Sequence, residues 1–120
     1  MRLTVLSRRE AERALAAATA CGDDRALAAA HTAMAMLAAL EGDRAANDAH
    51  YLRALQAAER AGDVLHLARI RANLGSRSTE EGSYQEALVE LEAAMRLAEL
   101  SGYAAVLALA QTNRGEAQLG

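Results

Sequence analysis

Residues 67–102 decide the fold of this chain and read LARIRANLGSRSTEEGSYQEALVELEAAMRLAELSG. The first half places Leu67, Ile70 and Leu74 at helical spacing, and the second half repeats that spacing from Tyr84 onwards. A Glu-Gly-Ser sequence at positions 81–83 separates the halves. Since glycine tolerates the backbone angles of a tight turn, the pattern predicts two antiparallel amphipathic helices joined as a hairpin.

The same pattern recurs at a distance of 40 residues on either side of this hairpin. When the chain is aligned with itself at that shift, roughly 19 of about 80 pairs are identical. Gly22, Gly62 and Gly102 coincide, and each is expected to end a helix. Gly42 and Gly82 coincide as the turns inside the hairpins. The sequence therefore predicts an array of repeated hairpins.

The register of the repeat predicts a single domain of about six antiparallel helices. Residues 1–22 are expected to form the second helix of a partial repeat, and residues 23–62 a degenerate full repeat. Residues 63–102 form the full repeat, and residues 103–120 the first helix of a truncated one. Because terminal repeats usually carry a polar outer face, we expect this chain to be a piece of a longer array.

Composition supports an all-α fold and narrows the classes of partner. Of the 120 residues 52% are hydrophobic, yet only 2% are aromatic and none is proline, so alanine-rich helices are favoured. The net charge of −3 leaves no basic excess for binding phosphates, and we expect no direct nucleic-acid binding. No apolar run is long enough to span a bilayer, and Cys21 has no partner for an intrachain disulfide. We expect a cytoplasmic protein that does not enter a membrane.

The hairpin resembles the tetratricopeptide repeat. The residues that carry the resemblance are Leu74, Gly75, Gly82, Tyr84, Ala87, Leu91 and Ala94. In the preceding unit Ala35 replaces the first glycine, and Asn47 replaces the small alanine. The period of 40 residues looks like the repeats of bacterial LuxR-type transcription regulators and also those of kinesin light chain. The resemblance implies a right-handed superhelical solenoid that binds a protein or peptide on its concave face.

Asn73 is the strongest candidate for contact with such a partner. It lies two residues before Gly75, as Asn113 lies two residues before Gly115. Asparagine at this place resembles the ladder with which several tetratricopeptide proteins hold a peptide backbone, because its amide offers both donors and an acceptor. Helical spacing adds four further candidates to this face: Arg69, Ser76, Thr112 and Glu116. Alternatively, both asparagines are exposed polar positions that the repeat has copied.

The sequence indicates neither an enzyme nor a metal or cofactor site. His31, His50 and His66 do not share a helix face at the spacing that two metal ligands need. Glycine-rich phosphate loops and nucleophile elbows do not occur. The predicted function is therefore a non-catalytic interaction module of a larger bacterial regulatory protein. The alternatives are a structural or signal-relay segment, with homo-oligomers formed through uncapped ends, and a domain that senses a small effector.

Overall fold

The computed structural model describes residues 7–112, and its side chains are described for residues 7–102. The regular elements in this part of the chain are all α-helices, which confirms the predicted all-α class. The helices are α1 (Arg8–Cys21), α2 (Asp24–Leu40), α3 (Arg44–Ala61), α4 (Val64–Glu80) and α5 (Tyr84–Thr112). None of these helices is both long and apolar enough to cross a membrane.

Local signals in the sequence determine where the first helices begin and end. Ser7 and Glu10 form a capping box at the start of α1. Gly22 and Gly62 end α1 and α3 with φ angles of 70° and 67°. The aspartate that follows each glycine caps the next helix, as when Asp63 accepts a hydrogen bond from the backbone N–H of His66 at 3.1 Å. In each connection, one residue ends a helix and the residue after it caps the next helix.

The helices recur with the period that the sequence predicts. The bounds of α4 lie 40 residues after those of α2, and α5 begins 40 residues after α3. The most extensive packing joins α2 to α3 and α4 to α5, while α1 packs on α2 and α3 on α4. Alanines dominate the core between α2, α3 and α4, together with Tyr51, Ile70 and Leu74. Because alanine side chains are short, helix axes approach closely and little apolar volume is needed to fill the space between them.

Gly75 permits the closest approach of α4 to α5. A Cβ atom added at this position would lie 2.7 Å from both Cγ and Cδ2 of Leu91. Ala87, on the opposite helix, is also buried. Both small residues therefore lie in the contact between the two helices of this hairpin.

Gly102 does not end a helix, so the prediction of a helix end there is wrong. Helix α5 passes through this residue and continues to Thr112. The physical reason lies in the next residue, because Gly22 and Gly62 each precede a capping aspartate whereas Gly102 precedes Tyr103. The described residues consequently contain five helices, and the predicted sixth is not separate from α5 over residues 103–112.

The large apolar side chains near the end of α2 are only partly buried. Met34 is buried, but Met36 is 53% exposed and Leu40 is 75% exposed. Both exposed residues lie in the last turns of α2, whereas Ala35 belongs to the core that also contains Tyr51 of α3. An apolar side chain is therefore available on the surface beside α4.

Candidate functional site

A groove of about 200 Å³ brings together three helices and two of the predicted ligand-binding residues. Asn73 and Ser76 line it from α4, Met36 from α2 and Tyr51 from α3. A second hollow of about 220 Å³ shares Asn47, Arg77 and Glu80 with the first and extends to the turns that follow α2 and α4. We call these two hollows together the α4 groove. It is an elongated surface with amide, hydroxyl and carboxylate groups beside apolar ones.

Tyr51 and Asn73 line the same hollow of the α4 groove. Tyr51 is only 6% exposed, and burial raises the pKa of its phenol above the ordinary value. A side-chain interaction with Asn73 and the charge of Arg77 lower this pKa and partly offset the effect of burial. The tyrosine is therefore a neutral donor and acceptor at physiological pH. One hydroxyl cannot occupy all the hydrogen-bonding positions of the Asn73 amide, so some remain for a ligand.

Asn47 and Arg77 form a polar connection between α3 and α4 in the floor of the groove. The buried amide of Asn47 donates a hydrogen bond to the Ala35 carbonyl at 2.7 Å. Its oxygen accepts one from Arg77 Nη1, also at 2.7 Å. The same nitrogen lies 2.5 Å from Asp48 Oδ1. Arg77 is therefore held by two residues of α3.

Charged residues extend this connection towards the end of the groove. Arg44 pairs with both Asp48 and Glu81. Burial alone would raise the pKa of Asp48, but its hydrogen bonds and charge interactions with Arg77 and Arg44 bring the pKa below its ordinary value. Asp48 therefore stays ionised at neutral pH. The groove is thus lined by charges of both signs and has no strong preference for an acidic or a basic ligand.

The remaining predicted site residues lie apart from the groove or outside the described residues. Arg69 is exposed on α4 and does not line either hollow of the α4 groove. Thr112 is the last residue of α5, and its side chain is not described. Asn113 and Glu116 lie outside the described part of the chain. Because α5 does not turn back at Gly102, the groove runs from Asn73 towards α2 and α3 rather than towards a following hairpin.

Sequence spacing did not reveal the pairing of His31 with His50. Their Nδ1 atoms lie 3.0 Å apart across the contact between α2 and α3. Desolvation lowers the pKa of both imidazoles, and the charge of Arg53 lowers it further. Since the two residues are 19 positions apart on different helices, only the hairpin register places them together. Among the described side chains, no cluster of three His, Cys, Asp or Glu residues could hold a metal ion.

Comparisons with protein families, with curated proteins and with solved structures find no match to this chain. The functional argument therefore rests on the groove itself.

Proposed function

We propose that this chain is a tetratricopeptide-like solenoid module that binds an extended segment of a protein or peptide, without catalysis, in the α4 groove. One observation carries the proposal: Asn73 and Ser76 of α4 open onto the same groove as Met36 and Tyr51. An extended peptide presents alternating backbone polar groups and side chains. The groove offers an amide and hydroxyls for the former and an apolar surface for the latter.

The architectural part of the proposal is supported by the repeated helix bounds. Helices α2 and α4 have the same length and are 40 residues apart, and extensive packing joins helices that are adjacent in sequence. In solenoids each repeat packs on its neighbours in the chain. The close approach at Gly75 is the feature expected of a tetratricopeptide hairpin.

Backbone capture by Asn73 is tested with peptides selected for binding from a displayed library of random ten-residue sequences. We expect Asn73→Ala to raise the Kd of a selected peptide about tenfold, the equivalent of one or two hydrogen bonds. Gln56→Ala is the matched control, since it removes an exposed amide from α3 outside both hollows of the groove. Fluorescence polarisation measures both affinities.

Methylating single backbone nitrogens of the selected peptide separates backbone recognition from side-chain recognition. We expect methylation at one or two central positions to weaken binding to the wild type and to have little further effect on Asn73→Ala. The proposal is wrong if the library yields no binder, or if Asn73→Ala binds the peptide as tightly as the wild type does.

A further inference from the structure

Helices α2 and α3 border a hollow of about 360 Å³ that shares no lining residue with the α4 groove. We call it the α2–α3 hollow. Its volume lies in the range of pockets that hold small organic molecules. Its lining combines cationic, amide and imidazole groups with apolar side chains, and the described residues that line it include no carboxylate. This composition indicates a ligand different from the peptide proposed for the α4 groove.

The cationic side of the α2–α3 hollow comes from α3. Arg53, Gln56 and Arg60 follow one another at intervals of three and four residues, so they lie along one side of that helix. All three line the hollow. A guanidinium group presents N–H donors in a planar fork that matches the two oxygens of a carboxylate. The arrangement therefore favours an anionic ligand.

Arg53 brings an uncompensated positive charge to the hollow. None of the ion pairs among the described side chains involves it. Arg60, by contrast, donates a hydrogen bond from Nε to Asp24 Oδ1 at 3.0 Å, and the donors on its two Nη atoms do not take part in that bond. Because one cation is unpaired and the other is balanced by a carboxylate, the hollow suits a ligand with one negative charge better than a phosphate dianion.

His31 borders the hollow from α2 and is only 8% exposed. Its Nδ1 atom faces that of His50 at 3.0 Å, so Nε2 is the ring nitrogen left for another partner. Desolvation is the main cause of the lowered pKa of His31, and the charges of His50 and Arg53 lower it further. The charge of Arg53 therefore acts on the space beside His31. An anion bound there would be attracted to the guanidinium and would favour the tautomer that donates from Nε2.

Two leucines provide an apolar surface beside these polar groups. Leu27 of α2 is partly buried against the core, and Leu52 of α3 is 56% exposed. Both line the hollow. A hydrocarbon chain lying against them would be removed from water, which favours its binding. An inorganic anion would leave this surface uncovered.

We propose that the α2–α3 hollow binds a small organic monocarboxylate with an apolar chain. The carboxylate pairs with Arg53 and lies next to His31 and Gln56, while the chain lies against Leu27 and Leu52. The chain of helices would then carry a small-molecule site in addition to its peptide groove. Because no residue lines both places, either proposal can fail without the other.

Hexanoate is the probe, and NMR of the histidine rings in the full chain at pH 7.5 and constant ionic strength locates it. From the size of the ligand we expect a Kd on the order of 1 mM. The ring resonances of His31 should shift saturably, whereas those of His66, which does not line the hollow, should not. Neutral hexanamide, which has the same shape, should bind at least tenfold more weakly. Acetate, which lacks the chain, should also bind more weakly than hexanoate.

Two variants separate the anchor of the carboxylate from the apolar surface. We expect Arg53→Gln to raise the Kd for hexanoate about tenfold, since a charge-assisted contact is lost. Arg96→Gln is the matched control, because it removes an exposed arginine from α5, outside the hollow. Leu52→Ala should weaken the binding of hexanoate and leave that of acetate unchanged. Circular dichroism of the three variants should match the wild type, because all three side chains are exposed.

The absence of a saturable shift of His31 at about 20 mM hexanoate would overturn the proposal. Equal affinities for hexanoate and hexanamide would do the same, as would an unchanged Kd in Arg53→Gln. Tighter binding of inorganic phosphate than of hexanoate would show that the hollow selects charge rather than an organic carboxylate.

Discussion

At the scale of single residues, small side chains and pairs of polar groups decide how the helices meet. The close contact at Gly75 could be predicted from the sequence, because the pattern of the repeat calls for a residue without a Cβ atom there. The side chain of Leu91 occupies the space that a Cβ atom would need. The hydrogen bonds of Asn47 could not be predicted, because an asparagine in place of a small alanine looks like a departure from the repeat. Its partners, Ala35 and Arg77, lie 12 and 30 residues away. A repeat in the sequence therefore reveals positions that need a small residue more readily than polar residues whose partners lie on other helices.

The His31–His50 pair predicts a dependence of stability on pH. Both imidazoles have pKa values below 6.5 in the folded chain, so between those values and about 6.5 the unfolded chain binds more protons. Stability is therefore greatest above pH 6.5 and is lost as the pH falls towards the folded-state values. A tenfold difference in proton affinity corresponds to about 1.4 kcal/mol.

Urea unfolding at pH 7.5 and pH 5.5 measures this effect. We expect the wild type to lose more stability between these conditions than the double variant with His31→Gln and His50→Gln. Equal losses in the two proteins would mean that the pair does not favour its neutral form. Asp48 does not interfere, because its hydrogen bonds and charge interactions with Arg77 and Arg44 hold its pKa below the ordinary value for aspartate.

At the scale of the elements, helix ends depend on two adjacent residues rather than on glycine alone. The sequence correctly predicted the turns at Gly22 and Gly62, where an aspartate follows. It predicted a helix end at Gly102 because this glycine aligns with Gly22 and Gly62 in the repeat, and that prediction failed for lack of a capping residue. The candidate site was affected by the same error, since the expected path from Asn73 to Asn113 requires α5 to turn back.

Replacing glycines at the two kinds of position should have opposite effects. Gly102 lies inside α5 in open space, so we expect Gly102→Ala to stabilise the chain by about 1 kcal/mol. Gly62 has a φ angle of 67°, so Gly62→Ala should destabilise it by about 1 kcal/mol. Thermal unfolding of both variants and of the wild type measures these effects. A loss of stability in both variants would indicate that α5 ends at Gly102.

At the scale of the whole molecule, the two hairpins are joined less extensively than the helices within each hairpin. Helix α3 packs on α4 through part of the alanine-rich core and through the connection between Asn47 and Arg77. The sequence predicted the order and period of the helices because both follow from apolar spacing. It could not predict the groove between them, which depends on which side chains remain exposed at the end of α2.

Asn47→Ala should destabilise the chain by about 1–3 kcal/mol, since the Ala35 carbonyl loses a hydrogen bond within one hairpin and an Arg77 donor loses one between the hairpins. Arg44→Ala is the comparison, because its ion pairs are exposed and should contribute less than about 1 kcal/mol. Urea unfolding gives both values. Comparable losses in the two variants would show that the buried amide does not hold the hairpins together.

The two Gly-Asp junctions also determine how this molecule could change in length. The pair Gly22-Asp23 precedes the hairpin of α2 and α3, and the pair Gly62-Asp63 follows it. In each pair the glycine ends one helix and the aspartate caps the next. A gene duplication of residues 23–62 would join Gly62 directly to a new Asp23 and so recreate an existing turn. Whole hairpins can therefore be gained or lost by recombination without the need to evolve a new connection.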